Sequence, residues 1–245
     1  MLRPIARLKV ALNGGRRPGE HPALPCTPAE LAVAAQAAVA AGAEAVHLHP
    51  RGAGRAESLD AADVGAAVAA VRAVCPATPI GVTTGLWVTG GDVAVRSLAV
   101  GGWAELPRYD RPDFASVNVS EPGFTELLLM LTELGVAVEA GVWSVADAGA
   151  LSVARDLPRV LVEIMSPATD PVAVLAELER TGVPGRRLLH GEGETCWPMV
   201  ALAGRLGLPT RIGLEDTLTG PSGEPVADNA ELVRLALSVW SSAAQ

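Results

Sequence analysis

The chain of 245 residues is 49% apolar and carries 19 basic against 27 acidic side chains, a formal net charge of −8. That balance argues against non-specific binding to nucleic acid or an anionic membrane, and no run reaches the roughly 18 apolar residues of a membrane span. Three scattered cysteines (Cys26, Cys75 and Cys196) do not make a disulfide framework. The opening MLRPIARLKV, which lacks a signal-peptide pattern, leads us to expect a cytoplasmic protein.

Along the chain, one alternation repeats from end to end. Short β-branched runs fall at Leu8–Asn13, Ala45–His49, Ile80–Thr84, Ala115–Ser120, Val136–Glu139, Val160–Met165, Arg187–His190 and Thr210–Leu214. A helix-like stretch follows each. Thr27 before Pro28 and Glu30 is a capping signal, and Ser144, Asp170 and Asp228 open later helices in the same way. Gly42, Gly135, Gly182 and Gly207 close helices just before the next strand. No linker or repeat interrupts the pattern, so residues 1–245 are expected to form one domain. Eight strands alternating with eight helices predict a parallel sheet closed into a (β/α)8 TIM barrel. An open doubly wound sheet would more often show a glycine-rich nucleotide fingerprint after strand one, and Asn13-Gly14-Gly15-Arg16 is not that fingerprint.

Barrel active sites form at the C-terminal strand ends. Polar residues gather there: Asn13, His47, His49, Thr83, Thr84, Asn118, Ser120, Glu139, His190, Arg211, Glu215 and Asp216. Each is costly to bury without a partner. His47 and His49 project to one face because strand residues two apart do so. Glu215 ends strand eight, one strand beyond strand one, and can reach the same point. Two imidazoles and a carboxylate with open positions make a catalytic metal ligand set, best suited to zinc. His190 is a competing third ligand, its ordinary reading being a hydrogen-bonded core histidine. Trp87, Trp143 and Trp197 follow strands three, five and seven, either as an apolar wall that excludes water or as packing under loops. Lys9, the only lysine, starts strand one at the far end of the barrel, so Schiff-base chemistry is not expected.

At these residues the sequence resembles the β-keto acid cleavage enzymes. The likeness rests on Leu24-Pro25-Cys26-Thr27-Pro28, on Ala41-Gly42-Ala43 followed by His47-Leu48-His49-Pro50-Arg51, and on Arg211-Ile212-Gly213-Leu214-Glu215-Asp216. It implies a zinc-bearing homo-oligomer that converts a β-keto acid and acetyl-CoA into acetoacetate and an acyl-CoA by Claisen and retro-Claisen steps. It places the metal on His47, His49 and Glu215, a catalytic base on Asp216 and its orienting arginine on Arg211. It puts the substrate carboxylate against Thr83, Thr84 and Gly85, and a polar pair at Ser116 and Asn118. Glu139 is carried over as a catalytic carboxylate, but Gly141 stands where the family often has a second one, whose role is then absent or moved. Asn13 and Arg16 fall in the turn facing the substrate's distal end. An arginine there favours a neutral or anionic group over an ammonium; the alternative is that Arg16, next to Arg17 in a loop, points to solvent or meets CoA phosphates. The rival readings are a metal-dependent aldolase or decarboxylase without CoA, and a barrel that binds a small acid without turnover.

Overall fold

A computed structural model describes residues 3–151 and 157–244. Eight parallel strands run in the order β7-β6-β5-β4-β3-β2-β1-β8. They are β1 (Leu8–Ala11), β2 (Ala45–Leu48), β3 (Ile80–Thr83), β4 (Phe114–Asn118), β5 (Ala137–Val142), β6 (Arg159–Ile164), β7 (Arg186–Gly191) and β8 (Thr210–Ile212). The Leu189 N–H donates to Pro209 O at 3.0 Å and Thr210 Oγ1 to Leu189 O at 2.8 Å, which brings β7 and β8 together. The fold is the expected (β/α)8 barrel, with every strand within a few residues of its sequence-based span.

The helices between them are α1 (Pro28–Ala40), α2 (Ala61–Val74), α3 (Val93–Gly101), α4 (Phe124–Glu133), α5 (Val145–Ala150), α6 (Pro171–Arg180), α7 (Cys196–Leu206) and α8 (Asn229–Ala243). All four expected caps form. Thr27 and Glu30 make a reciprocal capping box, and Ser144, Asp170 and Asp228 accept from Asp147, Val172 and Glu231 N–H groups. Gly207 closes α7 at φ +64, a conformation that favours glycine. No helix among the described residues is long and apolar enough to cross a membrane.

Alternation along the strands divides the barrel into two environments. One set, including Val10, Val46, Val82, Val117, Val138, Val162, Leu189 and Ile212, packs with the helices in the main core. The other phase fills the barrel interior. Ile5, Ala45, Phe114, Leu161 and Leu188 form a small apolar plug. Lys9 and Arg159 lie over the Phe114 ring at 5.7 and 5.2 Å from its centroid, and both pair with Glu139. Two and four residues further along the same phase come His47, His49, Thr83, Ser116, Asn118 and Glu163, which reach the site.

Candidate active site

A cavity of about 400 Å³ opens at the C-terminal strand ends, lined by His47, His49, Thr83, Ser116, Asn118, Glu163, Arg211 and Glu215 among others. A larger one, about 530 Å³, opens around Arg3, Arg72 and Asp113. Arg72 there is already paired with Asp113 and two backbone carbonyls. The chemistry therefore belongs to the first cavity.

Within it, His47, His49 and Glu215 each offer a ligand atom, and all these atoms lie within 4.8 Å of one another. His47 Nε2 is 3.8 Å from Glu215 Oε2, and His49 Nε2 is 3.5 Å from Glu215 Oε1. With zinc bonds of about 2.0–2.1 Å, a tetrahedral edge is about 3.3 Å, so this trio is close to the required size. Glu215 Oε2 is buried with no hydrogen-bond partner. A buried carboxylate oxygen left unpaired is expensive, and a cation between it and the imidazoles would satisfy it. The residues present fit a divalent metal.

Electrostatics prepare the same trio. Burial holds His47 well below the ordinary histidine range, so it is neutral. Burial alone would lower His49 too, but the Glu215 and Glu57 carboxylates outweigh it and hold His49 up at about 9. Burial penalises the Glu215 carboxylate, yet Arg211, His49 and His47 keep it well below the usual carboxylate range. Metal ligation would release the proton on His49.

The chain around Glu215 is tightly built. Gly14, at φ +55, has its α-carbon against the Glu215 side chain, where an added Cβ would collide. Arg16 donates to the Leu214 carbonyl and, from Nη2, to Glu215 O at 3.1 Å. Arg51 donates to Gly14 O and Arg16 O at 2.9 and 2.6 Å. Arg16 thus ties the turn after β1 to the loop after β8, and Arg51 ties the same turn to the loop after β2.

The geometry gives the expected substrate contacts the following partners. Arg16 lines the cavity, but its guanidinium is committed to two carbonyls and Glu20, which removes the basis for expecting it to meet a substrate carboxylate. Asn13 is wholly buried; it donates to Pro25 O and His49 O and accepts from His49 N–H, so it fixes the end of β2. Thr84 donates to Ser116 O at 2.6 Å and faces away from the cavity lining. Gly85 lies beneath Trp87 and donates to Thr83 Oγ1. Thr83, Ser116 and Asn118 do line the cavity. Asn118 donates to Glu121 at 2.9 Å, which leaves its carbonyl oxygen as the end turned to the site.

The carboxylates also sort themselves. Glu139 is wholly buried, does not line the cavity, and spends its oxygens on Lys9 and on Arg159 (2.7 Å). Burial penalises its charge, but these two cations hold its pKa far below normal, and both of its oxygens are engaged in ion pairs. Asp216 is wholly buried beside Arg211, which reaches it at 2.5 and 3.0 Å and reaches Glu215 at 3.0 Å. Burial raises the Asp216 pKa, with Arg211 opposing. Glu192 lines the cavity, and burial together with Asp216 and Glu215 pushes it up to about 7.

Two participants have no counterpart among the expected site residues. Glu163, on β6, lines the cavity 3.5 Å from His190. Its Oε1 lies 2.9 Å from where a Cβ on Gly141 would stand, so the β5 vacancy is filled from the next strand. Glu57, in the loop after β2, meets His49 Nδ1 at 2.5 Å. His190 is buried between Glu163 and Asp216 and does not join the metal trio. Trp87 and Trp143 line the cavity, whereas Trp197 binds Thr219 O instead.

Among solved structures, apo ObcA matches with a TM-score of 0.70 at 18% identity, covering 89% of this chain and 61% of that one. ObcA in binary complex with oxaloacetate gives 0.69 at 19% identity, covering 89% and 63%. ObcA in ternary complex with C4-CoA adduct and oxalate gives 0.69 at 18%, also covering 89% and 63%. This chain spans about three fifths of those chains' length, and the likeness at such identity is one of fold. No curated protein matches the sequence. The beta-keto acid cleavage enzyme family matches over residues 6–244, which takes in both histidines of β2 and the Arg211–Asp216 segment. The chain belongs to the β-keto acid cleavage enzyme family.

Proposed function

We propose that this protein converts a β-keto acid and acetyl-CoA into acetoacetate and an acyl-CoA, with zinc held by His47, His49 and Glu215. The observation that carries the reading is the convergence of two imidazoles and one unpaired carboxylate oxygen at the mouth of a family barrel. ObcA, solved with oxaloacetate and with a C4-CoA adduct, supports a keto acid and a CoA thioester as reactants. When bound, the metal would supply Lewis-acid polarisation of the substrate's keto oxygen.

The chain's own residues supply the rest. Thr83 and Ser116 present hydroxyls to the substrate, and the Trp143 indole N–H, buried without a partner, is a free donor for a substrate oxygen. Asp216, held by Arg211 just behind the cavity lining, takes a proton from the carbon between the two carbonyl groups, which requires the substrate to reach it past the Arg211 side chain. That carbon attacks the thioester and the CoA thiolate leaves. The thiolate then attacks the original keto carbon, the C–C bond breaks, and acetoacetate regains the proton. Arg211, fixed by two carboxylates, keeps its charge in the cavity wall while negative charge passes between oxygens. By the same reading the protein is a cytoplasmic homo-oligomer.

The test incubates the protein and zinc with acetyl-CoA and a panel containing a simple β-keto acid, a β-keto diacid and a 5-amino-3-keto acid. Acetoacetate and a new acyl-CoA should appear together, and only with the thioester present. Cleavage without CoA would favour the aldolase or decarboxylase reading. Saturable binding with no product would favour the small-acid-binding barrel.

A further inference from the structure

His49 touches the metal trio with one ring nitrogen only. Nε2 faces Glu215 at 3.5 Å, and Nδ1 meets Glu57 Oε1 at 2.5 Å. A carboxylate accepts and does not donate, so the Nδ1 proton stays between the two and the lone pair of a neutral ring lies on Nε2. His47 has no such support, because its Nδ1 is buried without a partner. The two histidines, alike in sequence, are therefore held unequally.

Glu57 is itself held. The Trp87 indole N–H lies 3.2 and 3.4 Å from its two oxygens. The Trp87 ring also stacks on His49, with centroids 6.2 Å apart and planes at 27°. This placement needs a glycine at 85, since a Cβ there would run into the indole. The loop carrying Glu57 folds back on Arg51 through an antiparallel bridge, and Arg51 is anchored by the Arg55, Gly14 and Arg16 carbonyls. One chain of contacts runs from the cavity rim through Trp87 and Glu57 to a nitrogen of the site.

We propose that Glu57 and Trp87 are positioning residues of the metal centre. Glu57 fixes the tautomer and ring plane of His49, and Trp87 orients Glu57 while covering the imidazole. Carboxylates behind metal-binding imidazoles act in this way, and their loss typically weakens metal binding by about 10–100-fold. The inference rests on the metal reading above, and its test separates the two.

Zinc affinity is measured by competition with a chromogenic chelator for the wild type and for His49→Ala, Glu57→Ala, Glu57→Gln and Trp87→Phe. Long-range proton–nitrogen spectra of the four histidines, recorded above pH 9 where His49 is neutral, report which nitrogen of His49 carries the proton. The wild type should bind zinc and His49→Ala should not. If the wild type binds none, or His49→Ala binds as well as the wild type, the metal reading itself falls. Glu57→Ala should bind about 10–100-fold more weakly and show mixed His49 tautomers. Glu57→Gln, which keeps the shape and an acceptor oxygen, should lie between, and Trp87→Phe should lose less than Glu57→Ala. A normal circular dichroism spectrum and melt for Glu57→Gln guard against misfolding. Zinc binding within twofold of wild type in both Glu57 variants, with the Nδ1 proton unmoved, would overturn the proposal.

Discussion

Arg211 serves two neighbours with different tasks. Its Nη2 lies 3.0 Å from Glu215 Oε1, on the side of the two β2 histidines, and 2.5 Å from Asp216 Oδ1, behind the cavity wall. One guanidinium thus holds the ligand and the proposed base in fixed relation, and it stays charged because both partners are anionic. Asp216→Asn keeps the shape and removes the proton acceptor. We expect it to retain zinc and lose roughly a hundredfold or more of C2-proton exchange with deuterated water, the usual scale of a general base. Exchange at the wild-type rate would assign the base to Glu192, the cavity carboxylate held up at about 7. Glu139 is less available for that role, because both of its oxygens are engaged with Lys9 and Arg159. Deleting one partner of such a buried group costs stability before it touches catalysis.

Between strands, the period-two pattern decides what reaches the site and what was readable beforehand. Glu163 stands four residues after Arg159 in one phase of β6, and Gly141 two after Glu139 in the same phase of β5. Gly141 is in register with Leu161, two residues before Glu163, and the Glu163 carboxylate reaches across into the space over Gly141. Gly141→Ala would put a Cβ 2.6 Å from Asn118 Oδ1 and 2.9 Å from Glu163 Oε1, and should cost about 1–3 kcal/mol in urea unfolding. In a Glu163→Ala background the cost should shrink by about 0.5 kcal/mol or more. Strict additivity would mean the two positions do not compete. The eight strands, the caps and the metal trio were legible because hydrophobic period, capping residues and strand-end polarity are local signals. Glu163 carried the same period signal, masked by the apolar run from Val160 to Met165. Glu57 carried none, since a loop residue eight positions past His49 finds its partner only through tertiary folding. Asn13 and Thr84 show how little strand-end polarity specifies by itself: such a residue satisfies backbone as readily as substrate.

Across the whole barrel, the proposed metal trio joins β2 to the loop after β8, with β1 lying between them. The remaining interior is closed below by the Phe114 plug and the Lys9–Glu139–Arg159 layer. A ligand that binds only the folded barrel raises its stability by mass action, about 2.7 kcal/mol at a hundred times Kd. For a chain of 245 residues, each kcal/mol moves Tm by about 2–4 °C, so zinc at that excess should raise it by roughly 5–10 °C. The shift should vanish with a chelator and in His47→Ala and Glu215→Ala. Magnesium should give little, because two imidazoles suit zinc and disfavour a cation that prefers oxygen. His190→Ala should keep the full zinc shift, since its ring sits between Glu163 and Asp216 outside the trio. A zinc shift lost in His190→Ala but kept in Glu215→Ala would move the centre to β7 and displace the ligand set argued above.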